Sequence, residues 1–350
     1  MNTIALWYES RNNRNSATKN EISLDIHINF WKLKKKFTGY EYLLDLGFMI
    51  EDISKLKIFH IYFPFHLDQE DFEDIGDRLI KNHKLINSIF NENYEIHTNP
   101  HAPKQCNVQD NKKNPLFNIY AIDFNNDKQD FEIKKCFNGT KLTIKIEKIQ
   151  PLEECYKYYF RFRLKSNNLQ DIYIRKYKPK NWFFQSALTE TETIDFRINE
   201  KRNYNDSLAE EINKYDEFLI NKIHFLLMRY SIEDFESHHI NVRCRELEND
   251  LWRDYIPPYY DLKNIIAYHW SEKAKDKPID SFNTLVKIKY YKSNLKTILA
   301  YIFLIGILSI SFNVLSNYIS SKIKLCHITK QSAILNDKDN VIKHKNIKGK

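Results

Sequence analysis

The chain has 350 residues, 42% hydrophobic and 14% aromatic, and its 54 Lys and Arg exceed its 46 Asp and Glu for a formal charge of +8. That much apolar and aromatic material suffices for one large or two ordinary folded domains and excludes bulk disorder. Its six glycines, Gly39, Gly47, Gly76, Gly139, Gly306 and Gly349, cannot assemble a GxGxxG or GxxxxGK loop, which excludes the glycine-loop nucleotide-binding classes.

In chain order, Thr3 to Tyr8 reads as a short strand followed by a polar loop. From Ile22 to Phe30 the apolar residues alternate with Ser23, Asp25, His27 and Asn29, the period of two of a half-buried strand. Lys55 to Leu67 carries bulk on both faces and predicts a central strand, with Pro64 marking an edge or bulge near its end. Asp68 to Glu92 has acids first and bases later, which predicts a helix aligned with its dipole. The loop containing Pro100, Pro103 and Pro115 then separates an N-terminal α/β lobe, residues 1–115, from a β-rich lobe with helices, residues 116–296.

In that second lobe LFNIYAIDF, FEIKKCF and TKLTIKIEKI read as strands, the last two joined by a hairpin turn at Asn138 and Gly139, where positive φ is needed. YKYYFRFRLK, DIYIRKYK and ETIDFRIN add strands to an antiparallel, sandwich-like or barrel-like core. Beyond them Asp206 or Ser207 caps a helix over SLAEEINKYDEFLINK, Ser207 to Lys222. KIHFLLMRY is a buried strand, and NVRCRELENDLWRDYI predicts an amphipathic helix stopped by Pro257 and Pro258. NIIAYHW and NTLVKIKYYK close the soluble part.

Thr297 to Ile319 follows, with no charged residue among its 23. At about 1.5 Å per residue such a helix reaches roughly 34 Å, enough to cross a hydrocarbon core of about 30 Å. Lysines bracket it, and residues 320–350 form a basic tail. Within the segment Gly306, Ser309, Asn313 and Ser316 fall on one stripe of small or polar residues, a pattern that suits self-association in lipid.

Chemistry is sparse. Five cysteines, Cys106, Cys136, Cys155, Cys244 and Cys326, form no CxxC pair, which suggests neither a zinc site nor a disulfide framework. No HExxH or GxSxG is present. His238 and His239 beside Asp234 and Glu236 form a weak metal-ligand cluster, and Asp123 with Glu132 and Lys134 has the spacing of a metal-dependent nuclease, a pattern that any exposed charged strand also yields. Charge is more informative: Phe131 to Lys180 holds thirteen Lys and Arg against five acids. Lys157, Arg161, Arg163 and Lys165 share one strand face with Tyr159, and Arg175 and Lys176 follow, a basic face suited to a nucleic acid, a nucleotide signal or anionic headgroups.

The expectation is therefore an α+β, β-rich soluble region followed by a single C-terminal transmembrane helix, with no catalytic residues, metal or cofactor. It describes a single-pass protein of the inner, cytoplasmic membrane whose large N-terminal part lies in the cytosol. Its partners are membrane lipid, a nucleic acid or nucleotide signal, and copies of itself through the helix. Prokaryotic antiviral systems join sensors to membrane elements, and that architecture suggests a membrane-anchored effector. The alternatives are a passive tethered adaptor and a membrane-bound nuclease.

Overall fold

The computed structural model describes residues 2–11, 21–36, 39–125, 130–152, 155–177, 189–236, 242–291 and 295–347. Nineteen strands are named among them. The first seven are Thr3–Ser10 (β1), Ser23–Lys35 (β2), Gly39–Ile50 (β3), Leu56–Phe63 (β4), Phe72–Asp74 (β5), Glu95–Thr98 (β6) and Gln105–Gln109 (β7). Pro115–Tyr120 (β8), Phe131–Cys136 (β9), Gly139–Ile144 (β10), Tyr158–Lys165 (β11), Ile174–Tyr177 (β12) and Thr189–Ile198 (β13) follow. The last six are Leu219–Tyr230 (β14), Asp234–Glu236 (β15), Arg243–Glu246 (β16), Tyr260–Asp261 (β17), Ile265–Lys273 (β18) and Phe282–Tyr291 (β19). The α-helices are Gly76–Lys81 (α1), His83–Phe90 (α2), Asn168–Tyr173 (α3), Asp206–Ile212 (α4), Asn249–Trp252 (α5) and Leu295–Ile347 (α6).

The strands form two sheets, one ordered β15-β19-β13-β1-β4-β10-β9 with β12 also on β13, the other β16-β18-β14-β2-β3-β11-β8-β7-β6 with β17 on β2 and β5 on β11. Alternation decides what each face meets. On β2 the even residues Leu24, Ile26, Ile28 and Phe30 enter a core shared with Phe59 and Ile61 of the smaller sheet. Aromatic contacts knit the layers together: Phe48 meets Phe59 at 5.1 Å between ring centroids, and Phe196 meets Phe225 at 5.1 Å. The odd residues of β2 turn to the outer face of the larger sheet, where Trp31, Tyr159 and Met228 pack under Leu79 and Ile86 of α1 and α2 and Trp252 of α5. On the smaller sheet, α4 covers Trp7 and Tyr62 with Leu208 and Ile212.

Within the sandwich lies an ionic network. Lys32 contacts Glu233 at 2.7 Å and Glu192 at 3.4 Å, Arg229 pairs with both acids, and the Tyr42 hydroxyl donates to Glu192 at 3.0 Å. Burial by itself pushes the Glu192 carboxyl up, but the Arg229 guanidinium and the Lys32 ammonium outweigh it and hold it down at about 2.

The β-rich fold with few helices and a long C-terminal apolar helix is present, and the strand arrangement corrects several expectations. The sheets are mixed, with β1 parallel to β13, β2 to β14 and β8 to β11. Residue 115 is no boundary, because strands from both sides of it share both sheets; the compact units are residues 1–178 with 190–290, and 179–189 with 291–350. The predicted helix over Asp68 to Glu92 is broken by β5, which pairs with β11, before α1 and α2 form. The hairpin turn lies one residue earlier than its sequence suggests: Phe137 and Asn138 carry φ of 54° and 61°, and Gly139 opens β10. A Cβ on Gly139 would sit 2.2 Å from the Phe63 carbonyl oxygen, so this glycine serves close approach. Asn205, one residue earlier than expected, caps α4 by accepting from the Leu208 amide at 2.8 Å. DIYIRKYK begins in α3 and becomes a strand only at β12.

The second unit contains α6, 53 residues long, within which Ile298–Leu325 holds an 18-residue window of mean hydropathy 2.4. Those 28 residues span about 42 Å, long and apolar enough to cross a membrane. One such helix among the described residues, together with a large β-rich unit in the same chain, fits a single-pass membrane protein. The helix continues beyond Ile319 into the basic tail.

Candidate anion-binding site

On the outer face of the larger sheet, α2 and α5 leave part of the strand surface uncovered. A cavity of about 560 Å³ lies there, bounded by residues 88–91 at the end of α2, Trp252 of α5, and strands β2, β11, β14, β16 and β18. Strand register builds its floor. Arg161 on β11 is the partner of Gly47 on β3, Gly47 of His27 on β2, and His27 of His224 on β14. On β14 and β18 the partners are Leu226 and His269, and His269 is in turn opposite Arg243 of β16. Parallel pairing of β2 with β14 is what sets two histidines side by side.

Arg161 is only 1% exposed. Its Nε donates to the Tyr255 hydroxyl at 2.7 Å and its Nη1 to the Tyr159 hydroxyl at 2.7 Å. With the Asn29 amide turned as its neighbours require, the amide oxygen accepts from Arg161 Nη2 at 2.7 Å. Each of these partners is formally neutral. The nearby carboxylate of Asp45 is taken instead by Arg163, through contacts of 2.6 and 3.1 Å, and by Trp31 and Tyr255. A buried guanidinium held only by neutral acceptors keeps its charge and favours an anion beside it.

The remaining lining adds cations and imidazoles: Lys222, Arg243, Arg245, His27, His224 and His269, with no Asp or Glu among the described lining residues. His224 Nδ1 and His269 Nε2 are 2.8 Å apart, and His27 Nδ1 lies 3.2 Å from the Tyr159 hydroxyl. Burial pushes the His224 imidazole down to about 4, helped by Lys222 and His269. Burial likewise lowers His27, with His224 and Arg161 adding to it, and lowers His269, with Arg243 and Arg245 adding to it. All three are neutral at pH 7. The site thus holds fixed positive charge and titratable groups that a bound anion would recharge.

Of the basic residues singled out from the sequence, Arg161 alone lines this cavity. The expected solvent-facing basic strand is corrected by the helices that cover it. Arg163 is fully buried on Asp45, Lys157 pairs with Glu51 at 2.7 Å, and Lys165 pairs with Glu73 at 2.8 Å. Arg175 and Lys176 stand exposed on β12 of the other sheet, where Lys176 is 3.8 Å from the buried Glu192. Glu132 and Lys134 are exposed on β9, and Asp123 follows β8. Glu236 of β15 pairs with Lys287 and Lys289, while His238 and His239 lie outside the described residues. Among the described residues no group of three or more His, Cys, Asp or Glu is placed to hold a metal ion. Gly306, Ser309, Asn313 and Ser316 are all exposed on α6.

Sequence reasoning missed His27, His224, His269, Lys222, Arg243 and Arg245. Each histidine stands on the polar phase of an alternating strand, which is a signal, but one shared by every solvated strand. The segment NVRCRELENDLWRDYI was expected to be helical; Arg243–Glu246 instead pairs as β16 with β18 and brings both arginines to the cavity. No protein-family model matches the chain, and no curated protein sequence matches it.

Proposed function

We propose that the chain is a membrane-anchored, non-enzymatic effector whose β-rich unit senses a polyanionic ligand and whose apolar helix self-associates to perturb the membrane. The observation that carries this reading is the cavity itself: four cationic side chains and three neutral imidazoles, with no carboxylate, among the described lining residues. Its volume falls within the range of small-ligand pockets, about 300–1,000 Å³, so the polyanion enters as a small molecule or as the end of a larger one. The helix supports the second half, because a Cβ built on Gly306 meets nothing within 4 Å beyond its own helix backbone and adjoining residues, and the stripe around it admits close helix approach. The membrane is the cytoplasmic one in this reading, with the sensing unit in the cytosol. Prokaryotic antiviral defence is the setting that the architecture suggests by analogy.

The test uses the full chain in detergent or in cells. Arg161→Met together with Arg243→Gln should weaken binding of inorganic polyphosphate at least tenfold, and wild-type binding should fall steeply with added salt. A flat salt response with unchanged affinity would sink the sensor half. Gly306→Leu with Asn313→Leu should reduce cross-linking of the full chain and dye leakage from expressing cells while leaving insertion intact, since interhelical contacts of this kind contribute about 0.6–2 kcal/mol each. If scrambling the helix at constant hydropathy changes neither readout, the passive adaptor is the better description.

A further inference from the structure

The floor of the cavity arranges its hydrogen-bond donors in a definite way. Arg161 Nη1 donates to the Tyr159 hydroxyl, which leaves the hydroxyl's own proton free to go to His27 Nδ1 at 3.2 Å. In that tautomer Nδ1 is the acceptor and His27 Nε2 is an N–H donor while the ring is neutral. The His224–His269 pair behaves differently. With Nδ1 of one ring 2.8 Å from Nε2 of the other, one nitrogen donates and the other accepts, and the two outer nitrogens are then one N–H and one lone pair. A lone pair facing a phosphate oxygen is repulsive. One added proton removes it and turns both outer nitrogens into donors.

Spacing sets a lower limit on the ligand. Strands β11 and β16 are separated by β3, β2, β14 and β18, five strand spacings or about 24 Å at about 4.8 Å each. Arg161 stands at one end of this row and Arg243 at the other, with Lys222 between them on β14. A single anionic group cannot engage both ends. Phosphoryl groups suit the lining because each presents several acceptor oxygens to donor-only side chains, and guanidinium pairs with them in a fork.

We propose that this cavity takes a ligand bearing at least two separated phosphoryl groups, bound together with one proton on the His224–His269 pair. This deepens the sensor reading given above and rests on it. The charges around the pair favour the coupling. Burial opposes protonation of the empty pair most, Lys222 of β14 and Arg243 and Arg245 of β16 add to it, and Arg161 acts on His27 in the same direction; Lys273 of β18 stands opposite Lys222 in the register. The acids are fewer: Asp25 lies opposite Lys222 in the β2–β14 register, and Glu248 is 3.6 Å from Arg245. A phosphate ligand neutralises those cations and sets its own negative charge against the pair, so the proton enters with the ligand.

The test is calorimetry on the full chain in detergent with cyclic hexaphosphate, a probe whose charges do not titrate near neutrality, so that any proton taken up belongs to the protein. Repeating the titration in two buffers of different ionisation heat counts the protons. Wild type should take up about one proton at pH 7, and Kd should tighten by as much as tenfold per unit as pH falls from 8 to 6. Orthophosphate should bind at least tenfold more weakly. His224→Asn with His269→Asn should still bind without proton uptake. Arg161→Met should lose binding, and because Arg161 is buried, the exposed Arg243→Gln gives a second variant, expected to weaken binding several-fold with an unchanged unfolding transition.

Short-chain cardiolipin, which carries two phosphoryl groups on a lipid, distinguishes a headgroup from a free solute: binding by wild type and not by Arg161→Met assigns the source to lipid and supports the proposal. Hexaphosphate binding with no proton uptake, or no tighter than orthophosphate, overturns it and leaves the sensor reading intact. If polyglutamate binds and neither phosphate probe does, the phosphoryl class is wrong and the polyanion reading survives. If none of the probes binds, both fail.

Discussion

Gly47 stands between His27 and Arg161 in the row of strand partners, and a Cβ there would lie 2.2 Å from the Tyr159 hydroxyl and 3.1 Å from Arg161 Nη1. Its backbone needs no left-handed φ; the missing side chain is the point. Tyr159 and Arg161 lean into that space and reach the His27 ring and the cavity. Gly47→Ala is therefore an overpacking change in a filled layer, expected to cost about 1–3 kcal/mol. Urea unfolding of the full chain measures it, and polyphosphate binding should weaken in the same variant because Arg161 must shift. An unaltered unfolding midpoint with unaltered binding would show that the layer yields freely.

Among the elements, β16 and α6 contribute most to the functional reading. β16 is an edge strand with Arg243, Cys244, Arg245 and Glu246 all exposed, so it buries little of its own, and its pairing with β18 is what carries two guanidinium groups to the cavity rim. α6 is exposed along Ile302, Phe303, Ile305, Ile310, Phe312 and Val314, a run of apolar side chains that water would penalise and lipid would not. The full chain should consequently resist carbonate extraction from membranes, while a chain ending at residue 291 should partition with the soluble fraction. Recovery of the full chain in the supernatant would remove the membrane from the account.

For the whole molecule, acid is the informative variable. His224 is lowered to about 4 from an ordinary value of about 6.5, and His27 and His269 move in the same direction. A base depressed in the folded state is protonated first in the unfolded chain, so its stabilising effect is complete above pH 6.5 and is lost as pH falls from about 6.5 toward 4. Glu192, held down at about 2, acts lower: its stabilisation is present above about 4.5 and disappears as pH falls through that value toward 2. Urea midpoints followed against pH should therefore decline in two stages. His224→Asn should reduce the upper stage, to which His27 and His269 still contribute, and leave the lower one, and a phosphate ligand bound only by the folded chain should raise the midpoint at pH 7.

The amino-acid sequence by itself determined the β-rich class, the strands from Ser23, Leu56 and Tyr158, and the apolar helix, because periodicity and the absence of charge are local properties of a chain; it ran the helix after Ser207 on to Lys222, where α4 ends at Ile212 and β14 begins at Leu219. It also placed Arg161 among the residues of interest. Only the tertiary structure decided which way that arginine faces: alternation puts Lys157, Arg161, Arg163 and Lys165 on one side of β11, but whether the side meets water or helices depends on α1, α2 and Tyr255, far away in sequence. The same holds for the histidines. His27, His224 and His269 come from three strands joined by one parallel and one antiparallel pairing, and register between strands nearly 200 residues apart is written in no local pattern. β16 was lost to a helical reading because its four residues have no strong preference of their own and adopt the extended state when β18 offers hydrogen-bond partners. The cavity exists because separate segments meet on one sheet face, and that meeting is settled by burial of the whole core.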